Sequence, residues 1–202
     1  FAYLQKHLSG ATIALVDQKD RPDYLAGQND YDIAVKSPGV HEDLIKIPYT
    51  TATNIFFSNA KGKIIGITGT KGKSTTATLI YEMLKKEGFG VYLGGNIGQS
   101  PLDFLDKLSD QSWAVLELSS FQLQDLKASP HIGVMLMMTS EHLDYHKDVD
   151  EYISAKRNIL RFQKPEDFAV INNDYPASRE SDIETPAKIY YVSRVQDLGG
   201  GC

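Results

Sequence analysis

The segment Gly69-Thr70-Lys71-Gly72-Lys73-Ser74-Thr75 sets glycines beside a lysine and hydroxyls, the residue types that hold a phosphate. Glycine lets consecutive backbone N–H groups curl around an anion, and the positive end of a following helix adds a favourable field. In such a loop Lys73 reaches the outer phosphates, the Ser74 hydroxyl ligates Mg2+, and the cradle runs from Gly69 to Thr76. The spacing departs from the standard phosphate loop, because Ile67 stands five positions before Gly72 and Gly66 one further off. A glycine-rich turn that merely caps a helix is the plain alternative.

Three further groups could do chemistry. Ala114-Val115-Leu116-Glu117-Leu118 is an apolar run with a carboxylate near its end. An acid there is either exposed at a strand end or the partner-strand carboxylate that holds Mg2+, directly or through water. Thr139-Ser140-Glu141-His142-Leu143-Asp144-Tyr145-His146 gathers two histidines and two acids after another apolar run. His142 lies closer to the strand exit and is the better ligand candidate, whereas His146 can continue a helical turn. Lys156 shares a helical face with Val149, Ile153 and Leu160, while Arg157 can point elsewhere. It is either a lysine that snorkels out or an inward amine, which desolvation favours in its neutral, reactive form.

Positioning these groups needs strands that end where the chemistry is. Apolar runs at 64–68, 91–93, 113–118, 132–138, 168–172 and 189–192 read as strands. Residues 74–87, 102–108 and 149–162 read as helices, the first on the apolar spacing of Leu79, Met83 and Leu84 with Gly88 as its stop. Strands that are apolar throughout, alternating with helices, imply a parallel α/β sheet covered on both faces, with ligands at the carboxyl ends of its strands. Two earlier runs, 11–16 and 31–35, predict strands of a small Rossmann-like α/β unit. Residues 45–62 read as a polar linker. The expected organisation is a partial first domain over 1–50 and a phosphate-loop domain over 51–202.

Composition narrows the function. The 202 residues are 42% hydrophobic and 23% charged, ordinary globular values. With 21 basic against 26 acidic residues the net charge is −5, and without a basic run nucleic acid is not an expected partner. No apolar run approaches the roughly 18 residues of a membrane span. A single cysteine, Cys202, permits no internal disulfide and suits a reducing compartment. The absence of an initial Met and the terminal Leu198-Gly199-Gly200-Gly201-Cys202 read as a fragment of a longer soluble protein.

Taken in order, Gly-Thr-Lys-Gly-Lys-Ser-Thr, Gly-Gly-Asn-Ile-Gly at 94–98, Leu-Glu-Leu-Ser-Ser-Phe-Gln-Leu at 116–123, Glu-His-Leu-Asp-Tyr-His and Ser-Ala-Lys at 154–156 resemble the Mur ligase family. The 116–123 phrase is most similar to the branch that adds D-glutamate to UDP-N-acetylmuramoyl-L-alanine, and Ser37-Pro38-Gly39 fits the same branch. The resemblance implies a cytoplasmic, monomeric enzyme that uses ATP and two Mg2+ ions for amide formation through an acyl phosphate, in peptidoglycan precursor synthesis. It places Lys73 on the phosphates, Ser74 and Glu117 at one Mg2+, and His142 at the second. Lys156 matches a lysine carried as a carbamate. Asn96, Ser119 and Gln122 match substrate contacts, Ser37 and Gly39 contacts near the diphosphate, and Asp17 the uracil end.

Lys71 departs from the Asn usual in the family, which puts one more positive charge beside a triphosphate. The family's opening strand with its glycine turn, its adenine-contacting helix and its C-terminal amino-acid-binding domain are not represented, so ligase activity of these residues alone is not expected. A small kinase or GTPase is the rival enzyme reading, although no Asn-Lys-x-Asp element for guanine is present. A sibling ligase adding another amino acid is a nearer rival. A nucleotide-binding piece without turnover is the non-enzymatic one.

Overall fold

The computed structural model describes residues 1–139 and 148–199. The chain divides into two compact units, 1–52 and 53–202.

The first unit carries helix α1 (Ala2–His7) and two short strands, β1 (Ala34–Lys36) and β2 (Tyr49–Thr51). The strands pair in parallel, with Ala34 beside Tyr49 and Lys36 beside Thr51. The strand expected over 11–16 does not form, and Leu15 is 71% exposed. An apolar run becomes a strand only when a neighbour takes up its N–H and C=O groups, and no described strand lies beside this one. The expected 31–35 strand is displaced to 34–36, leaving Tyr31 and Ile33 exposed.

The expected linker is also structured. It contains β2 and helix α2 (Ala52–Asn59), whose Phe56 is fully buried. Phe56 meets Phe104 edge-on with ring centroids 5.6 Å apart, and Phe104 stacks on Tyr92 at 5.3 Å. Asn54 secures the helix by donating to the Asp125 carbonyl and accepting from the Lys127 amide. The polar composition of this stretch hid its single aromatic anchor.

Strand β3 (Lys63–Thr68) is buried from its second residue onward and lies inside the main sheet. It leads through the glycine loop into α3 (Lys73–Lys86), which ends before Gly88 at φ 85°. Then follow β4 (Val91–Gly95), α4 (Pro101–Phe104), β5 (Trp113–Glu117), α5 (Ser120–Leu123) and β6 (Ile132–Met135). The chain continues with α6 (Val149–Arg161), β7 (Phe168–Asn172), α7 (Pro176–Arg179) and β8 (Lys188–Val192). All six strands are parallel, ordered β4-β5-β3-β6-β7-β8, with helices on both faces. From β3 the chain first runs outward to β4 and back to β5, then crosses to β6 on the other side. The order reverses at β3, and in open α/β sheets the ligand crevice lies beyond the strand ends at such a point.

Ile65, Ile67, Val115 and Val134 meet Ala77 of α3 in the core, with Ile80, Tyr81 and Leu84 packed against them. Leu79 and Met83 point outward instead, at 58% and 67% exposed, so the spacing identified the helix but assigned two of its residues to the wrong face. The helices α5 and α7 escaped detection because four residues carry no period. No helix among the described residues is long and apolar enough to cross a membrane.

Phe104 gives the clearest stability test, being fully buried between Phe56 and Tyr92. Phe104→Ala is expected to cost about 3–5 kcal/mol, from lost transfer energy and the cavity left behind. In urea unfolding the midpoint should fall with the slope preserved. A loss below about 1 kcal/mol would mean that this aromatic group does not anchor α2.

Candidate functional site

Four strand ends converge beyond the carboxyl edge of the sheet. Thr68 ends β3, Gly95 ends β4, Glu117 ends β5, and residues 136–139 leave β6. The turn after β3 is set by Gly69 at φ 148° and Gly72 at φ 87°, and a Cβ on Gly69 would lie 2.8 Å from the Leu136 Cβ. Gly72 N-caps α3, so the Lys73, Ser74 and Thr75 amides occupy the first turn, where N–H groups have no intrahelical partner.

Glu117 is 2% exposed and fully engaged. Its Oε2 accepts from the Ser74 hydroxyl at 2.6 Å and its Oε1 from the Asn96 side-chain amide at 3.2 Å. Its carbonyl takes the Asn96 N–H at 2.9 Å. That close approach needs Gly95, at φ 102°, where any Cβ would fall 2.1 Å from the Glu117 carbonyl oxygen. Three of the sequence-predicted residues are thus joined by hydrogen bonds in one polar chain.

The two lysines also converge. Lys73 Nζ donates to the Thr70 carbonyl at 2.9 Å, and Lys156 Nζ to the Gly69 carbonyl at 3.1 Å. Lys156 is 2% exposed and lies 4.6 Å from the Tyr152 ring centroid, so it does not snorkel out. The buried face of α6 is centred on Tyr152, Ala155, Lys156 and Ile159, while Val149 and Ile153 are only half-buried. A cleft of about 150 Å3 is lined by Lys73, Asn96, Ser119, Ser120, Phe121, Tyr152 and Lys156. Gln122 joins it indirectly: Gln122 and Ser119 form a capping box, in which the Gln122 Oε1 accepts from the Ser119 amide and the Ser119 Oγ accepts from the Gln122 amide.

Other expected residues are placed differently. Thr70 spends its N–H on the Met137 carbonyl and its hydroxyl on Thr139, so its donors turn inward rather than toward the loop's concavity. Lys71 and Thr75 are exposed, and Thr76 is half-buried with its amide bonded to the Gly72 carbonyl. Asp17, Ser37 and Gly39 belong to the first unit. Asp17 closes a turn by accepting from the Lys19 amide, and the Ser37 carbonyl takes the Val40 N–H. His142, with Glu141, Asp144 and His146, lies outside the described residues. Among the described residues, no three His, Cys, Asp or Glu side chains cluster as a metal site. Sequence reasoning missed Tyr152, Ser120 and Phe121. Tyr152 was detectable, since it lies four residues before Lys156 and therefore on its face.

The sequence model of the Mur ligase middle domain matches residues 67–197, which include all four strand ends just described. The chain belongs to the Mur ligase family. It is 40% identical over 186 residues to the UDP-N-acetylmuramoylalanine--D-glutamate ligase of Acetivibrio thermocellus, covering 88% of this chain and 40% of that protein. The ligase of the same name from Ruminiclostridium cellulolyticum is 36% identical over 188 residues, covering 89% and 40%. The chain therefore spans about 40% of the length of these curated relatives. Among solved structures, the MurF ligase of Thermotoga maritima in complex with ADP aligns with a TM-score of 0.59 and 24% identity, covering 81% of this chain and 41% of that one. A UDP-N-acetylmuramate:L-alanyl-gamma-D-glutamyl-meso-diaminopimelate ligase from Neisseria meningitides aligns with the same score at 15% identity, covering 83% and 60%. At these identities the two structures speak for the Mur ligase fold alone.

Proposed function

We propose that this chain is the nucleotide-handling part of a ligase that joins D-glutamate to UDP-N-acetylmuramoyl-L-alanine at the expense of ATP, in the cytoplasm. The observation that carries this reading is the Ser74–Glu117–Asn96 hydrogen-bonded chain beside Lys73 and Lys156 at the point where the strand order reverses. The names of the relatives at 36–40% identity supply the substrates. In the reaction, the substrate carboxylate attacks the γ-phosphorus of ATP and ADP leaves. The D-glutamate amine then displaces phosphate from the acyl phosphate and loses its proton.

The chain's own groups have distinct tasks in that sequence. The first-turn amides of α3 and the Lys73 ammonium receive the phosphates, which requires Lys73 to exchange the Thr70 carbonyl for a phosphate oxygen. Asn96 and Ser119, both lining the cleft, orient the substrate, with Gln122 holding Ser119 in place. Asp17 is assigned to the uracil end of the substrate, and Ser37 and Gly39 to its diphosphate.

The hydroxyl and carboxylate oxygens of Ser74 and Glu117 are hard donors that fit Mg2+, already 2.6 Å apart and aimed at one another. When bound, that cation would neutralise charge on the transferring phosphoryl group. His142 and a carbamate on Lys156 are assigned to a second Mg2+.

Glu117→Gln keeps the side-chain shape and removes the charge. In the intact enzyme it should raise the Mg2+ concentration needed for half-maximal activity about 10- to 100-fold. A Mg2+ titration indistinguishable from wild type would refute the cation role. Release of ADP that requires both D-glutamate and the UDP-muramoyl substrate is the direct assay for the reaction itself.

A further inference from the structure

The hydroxyl of Tyr152 and the ring beneath it touch the two halves of the site that the proposed reaction needs together. Tyr152 is 1% exposed, and its hydroxyl lies 3.1 Å from the Thr70 Oγ1. The direction of that bond follows from valence. A threonine hydroxyl has one hydrogen and two lone pairs. The Thr70 hydrogen goes to the Thr139 carbonyl at 3.0 Å, and one lone pair accepts the Thr139 N–H at 2.9 Å. The remaining lone pair faces Tyr152, so the phenol donates. Both donors of Thr70 are then spent: its hydroxyl hydrogen goes to Thr139, and its amide donates to Met137 at 2.7 Å. It has no donor left for a phosphate and acts as the pin that fixes the phosphate loop to the exit of β6.

The same tyrosine seats Lys156. The ammonium lies over its ring at 4.6 Å while donating to Gly69, the residue before Thr70. Successive residues of the loop are therefore held from one turn of α6, Gly69 by Lys156 and Thr70 by Tyr152. Phenylalanine would preserve the ring beneath Lys156 and remove the hydroxyl that meets Thr70, so the ring and the hydroxyl can be tested apart.

We infer that Tyr152 is a positioning residue: its hydroxyl sets the phosphate loop through Thr70, and its ring sets the Lys156 amine. The inference rests on the proposed nucleotide role of the loop. The test is the affinity of the intact protein for ADP with Mg2+, measured by titration calorimetry beside a melting curve. Tyr152→Phe should weaken ADP about three- to tenfold, the worth of one buried hydrogen bond, with the melting temperature lowered by no more than a few degrees. The KM for ATP should rise in step, with kcat falling less. Tyr152→Leu, which also removes the ring, should lower kcat as well.

Thr70→Val should weaken ADP at least as much as Tyr152→Phe, and Thr70→Ser, which retains the hydroxyl, should weaken it less than Thr70→Val. Combining Thr70→Val with Tyr152→Phe should be no worse than Thr70→Val alone, because both remove the same bond. A purely structural tyrosine would lower the melting temperature and leave that coupling at zero. If wild type binds ADP and Tyr152→Phe binds it equally, or if the two substitutions add in full, the inference is overturned while the proposed function stands. Failure of wild type to bind ADP would overturn both.

Discussion

Lys73→Ala in the intact enzyme is expected to weaken ADP and ATP roughly a hundredfold, while the fold survives. A charge-assisted bond to phosphate is worth about twice a neutral one, and more than one phosphate oxygen lies within reach of such a lysine in a phosphate loop. The folded protein loses little in exchange. Lys73 is half-buried at the first position of α3, and its ammonium satisfies only the Thr70 carbonyl, at 2.9 Å. Its removal opens no core cavity, because the apolar contacts of α3 are made by Ala77, Ile80, Tyr81 and Leu84. Lys73→Arg should recover only part of the affinity, since a broad planar guanidinium does not replace a compact ammonium. Calorimetric titration against a melting curve checks both halves of the expectation. Unchanged affinity would remove Lys73 from the phosphate site, and a collapse in melting temperature would show that the loop is structural.

How far the sequence revealed this site depends on the range of each interaction. The geometry of the glycine loop was legible because its requirements are local: glycines at positive φ, then a lysine and a hydroxyl opening a helix. Glu117 was legible because a carboxylate within an apolar run is costly unless partnered, and its partners proved to be Ser74 and Asn96. The role of Thr70 was not legible, since its bonds go to Met137, Thr139 and Tyr152, far away in sequence. Nor was the burial of Phe56, which depends on Phe104 and on no pattern within its own helix. In α3 the period was read correctly and the inward direction was not. Ala77, Ile80, Tyr81 and Leu84 pack inward while Leu79 and Met83 remain in solvent, and the stripe alone does not say which edge faces the sheet.

Lys156 carries the other large expectation. Lys156→Ala should reduce ligase activity about a hundredfold or more, since a charged group beside a transferring phosphoryl contributes mainly by electrostatic stabilisation in a water-poor site. The proposed active form is the carbamate: the ammonium first gives up a proton, the neutral amine's lone pair attacks the carbon of CO2, a C–N bond forms as one C=O electron pair moves onto oxygen, and a second proton leaves the nitrogen. That converts a cation into an anion able to approach Mg2+, and it preserves one N–H on Nζ for the Gly69 carbonyl that Lys156 already reaches at 3.1 Å. Position supports this over a surface role, because the side chain is 2% exposed and lines the same cleft as Lys73 and Asn96. Lys156→Arg should fail to restore activity, for a guanidinium stays charged and does not add CO2 under these conditions. Short-chain carboxylates at high concentration should restore part of the activity of Lys156→Ala, by placing an anion in the space the side chain vacates. Carbon-13 NMR of the intact enzyme in labelled bicarbonate should show a carbamate resonance that disappears in Lys156→Arg. Full activity in Lys156→Arg, or a labelled enzyme without that resonance, would reduce Lys156 to a structural clamp on Gly69.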